Sequence, residues 1–205
     1  MQFDKEPILS GIARLKQKGI AFDQGLSDRE VGALERRFTL VFPPDLRFFL
    51  QSGLPVSPYF VNWRGESDQL AERFERVVEG VLFDVENNVF WHSAWGTRPK
   101  ERPEALAMAQ RNLADVPKLI PIGDLLFTKC IPATPNEPGN PVFSINQTDV
   151  LHAGRDLGDF LHWFSRPKEE FERDEESGNS PTPVFSEDYR HIEFWTDVAR
   201  QNASM

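Results

Sequence analysis

Leu26-Ser27-Asp28-Arg29-Glu30-Val31, Leu34-Glu35 and Phe42-Pro43-Pro44-Asp45-Leu46-Arg47-Phe48-Phe49-Leu50, closed by Gly53, form the stretch that decides how the chain folds. Ser27 and Glu30 have the capping-box spacing, in which the Ser side chain takes the amide of Glu30 and the Glu side chain reaches back. Val31, Leu34 and Phe38 then fall on one helical face. Pro43-Pro44 stops that helix, because proline lacks an amide hydrogen and its ring clashes with the preceding turn. Pro44-Asp45 opens a short second helix with Leu46, Phe49 and Leu50 inward, and Gly53 ends it.

The pattern on either side is mixed. Residues 4–18 predict an amphipathic helix with Ile8, Leu9, Ile12 and Leu15 on one face and Gly19 at the cap. Tyr59 to Arg64 alternates like a strand. Leu70, Phe74, Val77 and Val78 suggest a helix, and Val81, Phe83 and Val85 a further strand. Residues 101–113 are Ala-rich and helical in pattern. Leu119-Ile120-Pro121-Ile122 predicts a short strand whose proline points to an edge or a bulge. Pro141–Ile145 and Thr148–His152 predict a hairpin around Asn146-Gln147. Gly154-Arg155-Asp156 leads into a helix with Leu157, Phe160, Leu161 and Phe164 buried. Residues 166–183 turn charged and Ser/Pro/Gly-rich, as in a linker. Ser186–Ala199 predicts a last helix with Tyr189, Ile192, Trp195 and Val198 inward. These elements describe one α+β domain: a mixed, mostly antiparallel sheet flanked by helices. Its expected parts are an N-terminal helix and connection (1–25), a core (26–165), the charged linker (166–183) and a C-terminal helix packing back on the core (184–205).

With 205 residues the chain is long enough to bury a substantial core. Its net charge of −9 repels nucleic acid and anionic lipid and suits a basic partner, though moderate acidity also simply keeps a protein soluble. The lone Cys130 excludes an intrachain disulfide and a multi-thiolate metal site. Met1 to Lys18 lacks the apolar core of a signal peptide, and no apolar run is long enough to cross a bilayer, so a cytoplasmic protein is expected.

Chemistry is suggested most by residues 82–99, which hold Asp84, Glu86, Asn87, Asn88, Trp91, His92, Trp95 and Arg98. Asp84, Glu86 and Asn88 have the spacing of a calcium-loop start. Position six is then Val89 instead of Gly, however, and position twelve is Trp95 instead of Glu. On a strand, Asp84 and Glu86 would face the same side with Cα atoms about 6.5–7 Å apart. Such a pair can act as acid and base, with Trp91 or Trp95 stacking on a sugar. The blander alternative is that the carboxylates cap turns or pair with Arg98. A third reading is a recognition surface, since Trp is enriched at interface hot spots, against the alternative that the rings are core. His92, His152, His162 and His191 are scattered without metal-ligand spacing. There is no GxSxG, P-loop or GxGxxG motif. The expectation is therefore a non-catalytic binding protein without cofactor or metal. Trp63, Asp84, Glu86, Trp91, Trp95 and Asp124 are the candidate partner-binding residues.

The run from Leu26 through Gly53 resembles the opening of the SUKH superfamily, which includes the fungal Smi/Knr cell-wall regulators and many bacterial proteins. Phe60-Val61-Asn62-Trp63 looks like its first strand. Leu82-Phe83-Asp84-Val85-Glu86-Asn87-Asn88, Trp91, Trp95-Gly96 and Arg98-Pro99 look like a bacterial subgroup's central segment. Leu119–Ile122, Asn140–Ile145, Gly154–Leu157 and Ile192–Trp195 are similar to its later elements, so the likeness spans roughly residues 26–198. One departure is that Gly123-Asp124-Leu125-Leu126 stands where the subgroup often has a His-Arg pair. The resemblance implies an α+β fold and no established catalytic residues. It also implies an immunity protein that neutralises a toxin, often a nuclease. A regulatory scaffold, or a carbohydrate binder or hydrolase using Asp84 and Glu86, remains an alternative. The oligomeric state is open.

Overall fold

The computed structural model describes residues 3–125, 127–167, 173 and 189–203. In chain order the elements are α1 (Glu6–Gln17), β1 (Ala21–Asp23), α2 (Asp28–Phe38), α3 (Pro44–Ser52), β2 (Leu54–Val56) and α4 (Ser67–Glu86). A 3-10 turn (Ser93–Trp95) follows, then α5 (Arg102–Ala114), β3 (Leu119–Leu125), β4 (Phe127–Pro132), β5 (Val142–Asn146), β6 (Asp149–Gly154), α6 (Leu157–Phe164) and α7 (Trp195–Ala203).

Local chemistry sets the helix starts as expected. Ser27 Oγ accepts from the Glu30 amide, and the Glu30 carboxylate accepts from the Ser27 amide at 2.8 Å. Asp156 caps α6 by accepting from the Asp159 amide. Gly19 follows α1 with φ of +84°, a conformation that glycine adopts without strain.

Strands β3 to β6 form an antiparallel meander in the order β3-β4-β5-β6, and β1 pairs with β2 in a separate two-stranded ribbon. The meander is covered on both faces. Ile120, Ile122, Ile131 and Val142 pack with Ile8, Ile12 and Leu15 of α1, Leu46 and Phe49 of α3, and Leu157 and Leu161 of α6. Leu119, Cys130, Phe143, Ile145 and Val150 turn the other way. They pack with Val77, Val81 and Val85 of α4, Ala109 and Leu113 of α5, and Trp195 and Val198 of α7. The result is a single α+β domain in which one sheet is shared by two apolar cores.

Several expectations are corrected. Tyr59–Arg64 is not a strand. Phe60 makes one bridge to Gly123, the Val61 amide donates to Ile122 O, and the chain then turns at Asn62–Gly65. Phe60, Val61 and Trp63 are buried while Asn62 and Arg64 are exposed, so the alternation belongs to a turn that closes the β3 edge and not to a strand. Val81–Glu86 is not a strand either but the last turns of α4. Val77, Val81 and Val85 are buried at four-residue spacing while Phe83 is 53% exposed, which is helical and not strand periodicity. Leu9 points to solvent. The final helix starts at Trp195, after a turn that buries Tyr189 and Ile192. Strand β4 and the β1–β2 ribbon were not foreseen. Apart from Arg166, Pro167 and Arg173, the charged 166–183 segment lies outside the described residues.

Pro121 stands at both features its sequence signal predicts. The strand lies at the sheet edge, and its register with β4 shifts between Pro121 and Gly123.

Candidate functional site

The carboxylates that looked paired are separated by the helix that carries them. Two positions along an α-helix differ by about 200° around its axis, so Asp84 and Glu86 point to different sides of α4. Asp84 turns inward. It is 5% exposed, and its Oδ2 accepts from the Thr148 hydroxyl at 2.6 Å and the Thr148 amide at 3.1 Å. Glu86 turns outward and pairs with Arg102 at 2.6 Å. The same-side arrangement expected from a strand is therefore corrected. So is the pairing with Arg98, whose guanidinium donates to Val85 O at 2.7 Å and Phe90 O at 3.3 Å.

The candidate tryptophans divide. Trp63 is 5% exposed and stands edge-on to Phe42. Trp95 is 6% exposed and stacks on Phe194, with ring centroids 5.7 Å apart. Neither ring is presented to a partner. Trp91 is half-buried, donates from Nε1 to Gly96 O, and has Arg98 over its ring. His92 is buried beside Phe90, Trp95 and Phe194, and its Nδ1 has no hydrogen-bond partner among the described residues. Burial pushes its imidazole below the usual pKa. Asp124 lies in β3, its backbone opposite Thr128 of β4, away from the 82–99 segment in the chain. That segment is a joint: it turns the chain from α4 to α5 around an aromatic cluster to which Phe194 contributes from just before α7. Among the described residues no group of three or more His, Cys, Asp or Glu is gathered to hold a metal ion.

A different feature has the shape of a binding site. Between the end of α2, the middle of α4, the end of α5 and Trp195 lies a groove of about 540 Å³. Phe38, Phe74, Val78, Leu113, Val116 and Trp195 supply apolar walls. Phe38 stacks on Phe74 with centroids 4.2 Å apart, and Trp195 is held by its Nε1–H donating to Pro117 O at 2.8 Å. Val78 is 38% exposed at the mouth. A volume of this size is in the range of about 300–1,000 Å³ typical of ligand-binding clefts.

The two rims differ in charge. Arg37 and Lys118 stand on one side, and Glu75 and Glu79 of α4 on the other. Both cations are engaged: Arg37 lies over the Phe38 ring, and Lys118 Nζ donates to Phe38 O and Thr39 O at the end of α2. The acids belong to a stripe. At 3.6 residues per turn, Asp68, Glu72, Glu75 and Glu79 fall within an arc of about 60° and extend about 16 Å along the axis. All four are exposed, and they make no ion pair among the described residues. The groove escaped sequence reasoning because its walls come from positions 38 to 195, and apolar residues at each are what any core would need.

No family model matches the chain, and no curated protein matches it. A solved structure of an uncharacterized protein from Salmonella enterica subsp. enterica serovar typhimurium is similar along all of this chain and 90% of that one, with 13% identity and a TM-score of 0.42.

Proposed function

We propose that the protein is a non-catalytic binding protein of the immunity type, acting in the cytoplasm to capture a basic protein toxin and hold it inactive. The carrying observation is the apolar groove that opens beside an acidic stripe of α4 that makes no ion pair among the described residues. Apolar pockets give a partner's anchor residue somewhere to desolvate, and surrounding charge speeds encounter with a partner of opposite sign. The net charge of −9 extends that attraction beyond the contact. The ordered resemblance of residues 26–198 to the SUKH superfamily supports the same class. The inward turn of Asp84 onto Thr148 weighs against hydrolysis by Asp84 and Glu86, which would need two carboxylates converging on one cleft.

The test is rescue. The products of the genes adjacent to this one are expressed singly in cells, any that arrests growth is co-expressed with this chain and scored for rescue, and the two purified proteins are mixed and sized. Restored growth with a stable complex is expected. Growth arrest that persists despite soluble, folded protein overturns the proposal.

A further inference from the structure

We infer that the groove between α4 and α5 receives a linear, amphipathic helical segment of the partner, in which an apolar anchor side chain is flanked by Lys or Arg at three- and four-residue spacing. This rests on the binding reading above and specifies what enters the site.

The apolar part follows from the walls. Phe38, Phe74, Leu113 and Trp195 offer the inserting group no hydrogen-bonding side chain, so a polar group pushed among them would lose its water without compensation. Val78 and Val116 widen the apolar surface at the mouth.

The basic part follows from which charges are already used. Lys118 caps the carbonyls at the end of α2, and Arg37 covers the Phe38 ring. Glu75 and Glu79 on the opposite rim, and Glu72 and Asp68 beyond them, have no such engagement among the described residues. An occupant therefore meets carboxylates with no ion-pair partner among the described residues on one side, and cations already in contact with carbonyls and a ring on the other. A fatty acid or other anionic amphiphile would have to compete with the Phe38 and Thr39 carbonyls for Lys118 and with the Phe38 ring for Arg37, whereas Lys and Arg of an occupant gain charge-assisted contacts with Glu75 and Glu79 directly.

The helical part follows from spacing. The acids recur at intervals of four, three and four residues along α4. A second helix lying alongside presents its own side chains with the same repeat, so basic residues on one stripe can face the acids while the next stripe enters the groove.

The experiment is a random-peptide display selection against the full chain, with enriched peptides resynthesised and titrated by fluorescence anisotropy. Expected sequences carry a Trp, Phe or Leu anchor with Lys or Arg three or four residues away. Their affinity should fall roughly tenfold or more between about 50 and about 300 mM salt as the Debye length contracts. Val78→Arg fills the mouth at an exposed position and should weaken binding roughly tenfold, as should the pair E75K and E79K. Val56→Arg, at a position 53% exposed on β2, should leave binding unchanged. Circular dichroism of each variant keeps unfolding apart from lost contact.

Enrichment of acidic or uncharged peptides, no enrichment, tighter binding of dodecanoate than of any peptide, or affinity unaffected by Val78→Arg each overturns the inference. Toxin rescue that survives Val78→Arg removes this inference and leaves the toxin-neutralising function standing. Peptide binding without rescue does the reverse.

Discussion

Asp84 on α4 and Thr148 at the β5–β6 turn are 64 residues apart and joined by two hydrogen bonds to one carboxylate oxygen, at 2.6 Å from the hydroxyl and 3.1 Å from the amide. Asn202 of α7 reaches the same hairpin, donating to Thr148 O and Val150 O. Two helices far apart in the chain are thus pinned to one turn of the sheet. Hydrogen bonds to a charged group contribute about 1.5–3 kcal/mol, and stranding a buried amide adds to the loss. Asp84→Ala is expected to destabilise the protein by about 3 kcal/mol in urea unfolding. A loss below about 0.5 kcal/mol would mean that the contact is incidental.

Gly80 lies one turn before Asp84 and lets the hairpin approach. A Cβ there would come within 2.9 Å of Gln147 Cα, a backbone atom with little room to yield. Alanine would gain about 1 kcal/mol in helix propensity, but overpacking against a fixed neighbour costs about 1–3 kcal/mol. Gly80→Ala is therefore expected to lower the melting temperature, against the rule for exposed helices. A stabilised variant would show that the hairpin moves aside.

His152 is 8% exposed, with its ring 4.2 Å from Tyr189 and 5.0 Å from Phe143. Burial, with a smaller contribution from the nearby Arg200 charge, pushes its pKa down to about 4 from 6.5. In that interval the unfolded chain takes up a proton and the folded chain does not. The stability contributed by the neutral ring is complete above pH 6.5 and is lost as pH falls toward 4. The loss amounts to about 3 kcal/mol at most. His92, also lowered by burial, acts in the same direction. His152→Phe is expected to flatten the melting temperature between about pH 7 and about pH 5. A variant as acid-sensitive as the parent would place the sensitivity elsewhere.

Of the five tryptophans, Trp63, Trp95 and Trp195 are buried and Trp91 and Trp163 are half-buried. Acrylamide should therefore quench a minor part of the emission, and the double variant W91F and W163F should remove most of that part. Strong quenching that survives in the double variant would show that the aromatic cluster around Phe194 opens in solution.

The sequence by itself determined the elements whose information is local. Ser27 and Glu30 cap α2, and Asp156 caps α6, because the bonds close within one turn, while Pro44 and Gly19 mark helix ends through their own backbone preferences. The hairpin after Pro141 and the irregular edge strand at Pro121 were legible for the same reason. Periodicity misled at Val81–Glu86, where a six-residue window fits period two as well as 3.6, and only packing of Val81 and Val85 onto the sheet decided for the helix. Strand β4 carries no clear apolar signal because Thr128 and Lys129 interrupt its pattern. Burial on both faces removes the alternation that marks a half-exposed strand.

Tertiary structure alone decided the candidate site. The direction of each side chain on α4 turned Asp84 from apparent chemistry into a pin and left Glu75 and Glu79 outward at a groove. The groove exists only because α2, α5 and Trp195 meet there from distant parts of the chain. Charge and composition are sums over residues and survive without the fold. Convergence of side chains on one volume is set by long-range packing, which no local window of the sequence contains.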